Sequence, residues 1–221
     1  MLARDLISDI IPAVKTSNTG AEVLNWMENF KVSHMPIVNH TSFLGLVSDN
    51  DIYSLDDPDV PIGNHPLSLF SPFVKSSQHI YEVIEIVKRL KISVVPVLNS
   101  DNEYEGCITM YDLIDQFANL SSCDQPGAVL VLKMMIHDYS LTEISRIVEE
   151  NQAKILSSYV STIPESTEIE VTLKINSTEV TSIIRSFERY DYNIETTYME
   201  NEEMDDMYKL RYEEFMRYLN I

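Results

Sequence analysis

The stretches GLVSDNDI (45–52) and GCITMYDL (106–113) share one frame: a glycine, two apolar residues, a hydroxyl residue, two variable positions and an aspartate. They belong to a longer duplication. Residues 11–39 laid over 71–99 at an offset of 60 are identical at ten of 29 positions, among them Pro12/Pro72, Lys15/Lys75, Lys31/Lys91, Ser33/Ser93 and Pro36/Pro96. One extra residue in the second copy's turn shifts the offset to 61 and brings Gly45 onto Gly106, Ser48 onto Thr109 and Asp51 onto Asp112. A period of this length marks a duplicated structural unit.

Each copy reads as a short strand, a helix, two strands and a helix. Val23, Trp26, Met27 and Phe30 recur at helical spacing, as do Val83, Ile86, Val87 and Leu90, so each first helix buries one face. The apolar runs MPIV and FLGLV, and VVPVL and GCIT, are joined by the turn-rich NHTS and NSDNE, which predicts a pair of strands per copy. Pro36 and Pro96 fall inside the first strand of each pair, where a missing donor predicts a sheet edge or a break in the ladder. Ser48 and Thr109 stand where a strand gives way to a helix. There a hydroxyl caps the helix, and Asp51 and Asp112 in the first turn complement its dipole. Capping alone accounts for either residue; recurrence within a duplicated unit points beyond it.

With these motifs in place, KVSHMPIV (31–38) and KISVVPVL (91–98), each followed by G-h-x-S/T-x-x-D, resemble a tandem pair of CBS domains, the module named after cystathionine beta-synthase. The resemblance covers about residues 1–120, with one repeat over 1–60 and the other over 61–122. It implies a Bateman-type module of two β-α-β-β-α repeats with two clefts between them, often occupied by adenosine nucleotides. Carried over, one cleft uses Thr109 and Asp112 with Val32, Ser33 and Pro12; the other uses Ser48 and Asp51 with Ile92, Ser93 and Pro72. The aspartate accepts from ribose hydroxyls, the hydroxyl residue approaches phosphate, and the strand before the proline meets the base. Where many such modules place a basic residue after the Ser or Thr, this chain has Asp49-Asn50 and Met110-Tyr111. Lys15 and Lys75 are the nearby basic candidates for a phosphate. Adenosine, AMP or ATP is the implied regulatory ligand, with no cofactor, and disc-to-disc pairing implies a homodimer.

The repeat stops at SSCDQPG (121–127), a polar, turn-forming segment that marks a domain boundary. From about 125 to 200 the apolar runs and helical stripes follow the order βαββαβ, a ferredoxin-like arrangement. Its helices are expected from Ser140 with Glu143 as a capping box, and from the stripe Val180, Ile183, Ile184 and Phe187. Gln125-Pro126-Gly127 leading into the first strand gives this segment a resemblance to the ACT domain, for which a structural or dimerising role is expected. CBS repeats followed by an ACT-like unit are similar in layout to acetoin-utilisation accessory proteins. Residues 201–221 predict an amphipathic C-terminal helix carrying Tyr208, Tyr212, Phe215, Met216 and Leu219 on one side. The fold class is therefore α+β.

Composition narrows the function. The net charge is −19, spread over both halves: 7 basic and 16 acidic residues in 1–120, 9 and 19 in 121–221. Such a field repels phosphate backbones and acidic lipids, so neither nucleic acid nor membrane is an expected partner. No apolar run reaches spanning length, and a cytoplasmic location is the default. The five histidines, at 34, 40, 65, 79 and 137, show no metal-ligand spacing, and neither a nucleophile elbow nor a phosphate loop is present. Cys107 in an apolar strand is a poor setting for a thiolate. The expected function is a non-catalytic sensor, with no catalytic and no metal residues. The alternative is a degenerate CBS pair acting as a scaffold or protein-interaction module, in which Ser48, Asp51, Thr109 and Asp112 only cap helices.

Overall fold

A computed structural model describes residues 1–65 and 69–199. The C-terminal helix expected over 201–221 lies outside the described residues. The chain divides into two compact units, Met1–Phe117 and Ala118–Ile221.

In the first unit each repeat contributes a helix, an antiparallel strand pair and a closing helix. The first has α1 (Gly20–Phe30), β1 (His34–Asn39), β2 (Ser42–Ser48) and α2 (Asp49–Tyr53); the second has β3 (Val74–Lys75), α3 (Ile80–Leu90), β4 (Val94–Leu98), β5 (Tyr104–Thr109) and α4 (Met110–Ser121). The expected leading strand is a two-residue strand in the second repeat, β3, and a single parallel bridge, Val14 to Ile37, in the first. Helix α1 starts with a capping box, Thr19 accepting from Glu22 N and the Glu22 carboxylate accepting from Thr19 N. Both α1 and α3 end on a lysine in the left-handed conformation, Lys31 and Lys91, each at φ 56°.

The prolines explain why the leading segments are so short. Val14 N donates to Pro36 O and Val38 N to Val14 O, the parallel ladder pattern. The next rung toward the N-terminus would need an N–H from Pro36, which has none. Pairing therefore starts at Val14, and the residues before it leave their own repeat. They cross to the other one. Ser8 N donates to Cys107 O on β5, and at the equivalent place in the first repeat Leu46 N on β2 donates to Phe70 O.

This exchange interleaves the cores. Ala3, Leu6 and Leu46 are buried with the second repeat's Val83, Val95 and Ile108, while Val94 and Cys107 are buried with the first repeat's Val14, Val23 and Met35. The glycines of the opening motif permit the crossing. A Cβ on Gly106 would stand 2.4 Å from Ile7 Cγ2, and one on Gly45 would stand 2.6 Å from Leu69 Cβ. Both also hold positive φ values, 157° and 153°, which side chains disfavour.

In the second unit β6 (Ala128–Met135), α5 (Leu141–Glu150), β7 (Ile155–Thr162), β8 (Glu168–Ile175), α6 (Thr181–Arg189) and β9 (Asn193–Met199) form a four-stranded antiparallel sheet in the order β7-β8-β6-β9. Strand β8 alternates half-buried and buried residues along its whole length, so one sheet face carries the core. Ile144, Ile147 and Val148 of α5 and Ile183 and Phe187 of α6 pack there with Leu130, Leu132, Val171 and Leu173. The capping box expected at α5 is only half made. Ser140 accepts from Glu143 N, but the Glu143 carboxylate accepts from Tyr192 Oη at 3.1 Å and lies 3.9 Å from Arg146. A tertiary partner takes the group that the local motif would have used.

Gly106→Ala, at positive φ and 2.4 Å from Ile7 Cγ2, should lower the unfolding free energy by about 1–3 kcal/mol through overpacking, while Gly20→Ala, at ordinary φ and with approaches of 2.8 Å to Ile52 Cγ2 and 3.2 Å to Leu55 Cδ1 and Pro58 O, should cost less. Urea titrations followed by circular dichroism would show the ranking.

Candidate functional site

The two S/T-x-x-D motifs form matching caps. Ser48 Oγ accepts from Asp51 N at 3.1 Å, and Asp51 Oδ2 accepts from Ser48 N at 2.8 Å and from Ser48 Oγ at 2.7 Å. At the other motif Thr109 Oγ1 accepts from Asp112 N at 3.2 Å, and Asp112 Oδ2 accepts from Thr109 N at 2.8 Å and from Thr109 Oγ1 at 2.6 Å. In both, the two bonds that the carboxylate accepts fall on one oxygen, Oδ2. Oδ1 of Asp51 and Oδ1 of Asp112 have no hydrogen-bond partner among the described residues. A carboxylate oxygen is an acceptor only, so each motif offers the same spare acceptor at a helix start. The environments differ: Thr109 is buried at 6% exposure and Asp112 is half-buried, whereas Ser48 is half-buried and Asp51 exposed.

The seam between the repeats lies beside these motifs. Ser93 Oγ accepts from Ser33 N at 2.9 Å and from His34 N at 3.0 Å. The carbonyls point back to the caps, Ser33 O accepting from Asp49 N and Ser93 O from Met110 N. Val32, Ser33 and Ser93 thus meet, and with Lys31, Asp49 and Tyr53 they line a groove of about 840 Å³ beside α1. Ile92 is buried in the second core. Pro12 and Pro72 lie on the two crossing segments, after the residues that pair with Cys107 and Leu46. Thr109, Asp112, Pro12, Ser48, Asp51, Ile92 and Pro72 do not line the groove.

The two lysines weighed from sequence sit elsewhere. Lys75 Nζ donates to Asn99 O at 2.7 Å and to Asn102 Oδ1 at 2.6 Å, in the turn between β4 and β5, at the opposite end of those strands from Thr109. Lys15 borders a hollow of about 450 Å³ with Asn39 and His40, at the β1–β2 turn and so at the far end from Ser48. The basic residue that lines the groove is Lys31. Its identity with Lys91 in the repeat was the available signal.

His34 was also missed. It pairs with Ser48 across β1 and β2, where the second repeat pairs Val94 with Thr109. Burial lowers its pKa below the ordinary histidine value, opposed by the negative charges of Asp49 and Asp51. Cys107 is free and buried, and burial pushes its thiol up to about 11, which leaves it protonated at neutral pH. Among the described residues no cluster of three or more His, Cys, Asp or Glu could hold a metal, and no helix is long and apolar enough to cross a membrane.

Residues 69–119 match the CBS domain family and form a CBS domain. Homoserine O-acetyltransferase of Methanobrevibacter ruminantium is 28% identical over 119 residues, 53% of this chain and 24% of that protein. The chain therefore spans about a quarter of that relative's length. Among solved structures, a CBS domain pair/ACT domain protein from Thermotoga maritima is similar with a TM-score of 0.48 and 21% identity, over 54% of this chain and 98% of that one. The structure of CBSX2 in complex with AMP is similar with a TM-score of 0.46 and 19% identity, over 53% of this chain and 96% of that one.

Thr109→Val keeps the shape of the side chain and removes the cap, so it should destabilise the protein by about 1 kcal/mol, whereas Thr109→Ser should remain within a few tenths. Thermal unfolding of the two variants separates the cap from simple packing.

Proposed function

We propose that the chain is a non-catalytic regulatory protein that takes an adenosine-containing ligand between its repeats. The observation that carries this reading is the spare oxygen. Each aspartate satisfies its helix cap with Oδ2 alone, so capping and ribose recognition use different atoms of one carboxylate and do not compete. In this reading Thr109 and Asp112 act with Val32, Ser33 and Pro12, and Ser48 and Asp51 act with Ile92, Ser93 and Pro72. The crossing segments support the pairing, because each bonds to the strand that leads into the other repeat's motif. The carbonyls of Pro12 and Pro72 receive no rung from Pro36 and Pro96, which leaves them as acceptors for an exocyclic amine.

Electrostatics select among nucleotides. Lys15 and Lys75 lie at the far ends of the strands, and Asp49 offsets Lys31 in the groove. Each added phosphate gains little locally and meets the field of a chain with net charge −19, felt over about 8 Å at physiological salt. Without Mg²⁺, adenosine and AMP should bind at least as well as ATP, and added salt should help ATP most. Calorimetric titrations at two salt concentrations test this; a clear preference for ATP at low salt contradicts it.

Asp112→Asn tests the spare oxygen itself. The amide keeps one oxygen for the Thr109 cap and places an NH₂ where the second oxygen stood, so binding should fall about tenfold or more while stability changes by less than about 1 kcal/mol. The same change at exposed Asp51, beside Asp49, should cost less. If no adenosine ligand binds at millimolar concentration, the scaffold reading takes its place.

A homodimer belongs to the same proposal. Helix α4 leaves Tyr111 and Ile114, one turn apart, 65% and 61% exposed, and this pair is the face on which a second copy would pack. The ACT-like unit has a structural or dimerising role, and a cytoplasmic location fits the acidic chain. Ile114→Glu should shift light scattering from twice the 25.4 kDa chain mass toward a single chain.

A further inference from the structure

The seam between the repeats is duplicated in sequence but not in bonding. Ser33 and Ser93 are equivalent, and a symmetric seam would have each hydroxyl accept the amides of the other repeat. Ser93 Oγ does so, receiving Ser33 N and His34 N at 2.9 and 3.0 Å. The reverse contact is different. Ser93 N donates to His34 Nδ1 at 3.4 Å, and the same nitrogen lies 3.3 Å from Ser93 Oγ and 3.1 Å from Ser33 Oγ. The residue equivalent to His34 is Val94, which has no polar atom.

Chemistry fixes the protonation state of this arrangement. A backbone N–H only donates, so Nδ1 must offer a lone pair to Ser93 N, and the ring proton sits on Nε2. Ser93 Oγ already accepts two amides, so toward Nδ1 at 3.3 Å it can only donate, sharing the one lone pair with Ser93 N–H. A proton on Nδ1 would replace the acceptor with a donor. Ser93 N–H and the Ser93 hydroxyl would lose their partner, and only the Ser33 hydroxyl could turn to receive the new N–H. The charged groups facing the ring are Asp49 and Asp51 on α2; Glu28 and Lys31 at the end of α1 line the groove that Ser33, Ser93 and Asp49 share. From the second repeat, Ser93 and Val94 bring no charge.

We infer that His34 is a proton-operated latch between the two repeats: the neutral ring accepts the Ser93 amide, and protonation breaks that bond beside the Ser48–Asp51 motif while Ser93 Oγ keeps the amides of Ser33 and His34. The direction of its titration agrees, since burial outweighs the two aspartates and favours the neutral ring. A histidine whose folded pKa is depressed contributes stability that is complete above its unfolded pKa, about 6.5, and is lost as pH falls through the folded value. The latch is therefore closed at pH 7 and above and opens as pH falls through the ring's folded value. It requires no bound ligand and stands or falls independently of the adenosine proposal.

Two measurements on the full chain test it. Long-range ¹H–¹⁵N spectra of the histidine ring should show His34 as the Nε2–H tautomer at pH 7.5, with the Ser93 amide resonance moving at the same midpoint as the ring on acidification. An Nδ1–H tautomer, or a Ser93 amide indifferent to the ring's titration, would overturn the latch. The second compares unfolding of the wild type with His34→Asn, whose Oδ1 can accept from Ser93 N without titrating. The other four histidines are common to both proteins and cancel in the difference. Between pH 7.5 and 5 the wild-type folding constant should fall relative to the variant's, by about tenfold for each unit by which the ring is depressed; parallel pH profiles would refute the proposal. Should the variant not fold, the wild-type spectra decide alone.

Discussion

The structure of the first unit depends on a backbone crossing at two glycines. Gly45 and Gly106 have no side chain, and the chain segments that precede each repeat pass where those side chains would be. Each segment then binds the other repeat, Ser8 to Cys107 and Phe70 to Leu46. Because the exchange is mutual, neither core closes on its own residues, and the two repeats form one interleaved body rather than two beads. The prolines at 36 and 96 act from the opposite side. By ending the parallel pairing at Val14 and Val74, they free the residues that cross.

The same constraint sets the position of the candidate site. The strands that carry glycine also carry the hydroxyl residue three positions later, so each crossing segment bonds to a strand that ends at Thr109 or Ser48. The helix caps then fix the aspartates, and the spare carboxylate oxygens follow from the fact that one oxygen suffices for a cap. Asymmetry enters where the repeats diverge. His34 stands in place of Val94, α2 is five residues long against twelve for α4, and Asp112 is more enclosed than Asp51. A duplicated frame thus presents two unlike motifs.

Much of this was legible in the sequence because it rests on local chemistry. The frame G-h-h-S/T-x-x-D specifies a strand, a cap and a helix start within seven residues, and the apolar stripes of α1 and α3 specify their buried faces. What escaped was set by contacts distant in the chain. Lys75 looked available for a phosphate, yet its ammonium is held by the β4–β5 turn, a partner 24 and 27 residues away. Glu143 had the spacing of a capping box but is drawn to Tyr192, 49 residues on. His34 was one of five scattered histidines in the sequence; only its place across the seam from Ser93 gives it a role. The one trace it left was its departure from the repeat.

In the function proposed for this chain, the two S/T-x-x-D motifs receive an adenosine-type ligand. The most direct test is a ¹H–¹⁵N titration of the full chain with adenosine, read at assigned backbone amides. The account predicts saturable shifts at Ser33, Thr109, Met110 and Asp112, with smaller changes at Ser48 and Asp51 and none along β7 of the second unit. Shifts confined to the second unit, or no shift at millimolar adenosine, would contradict it.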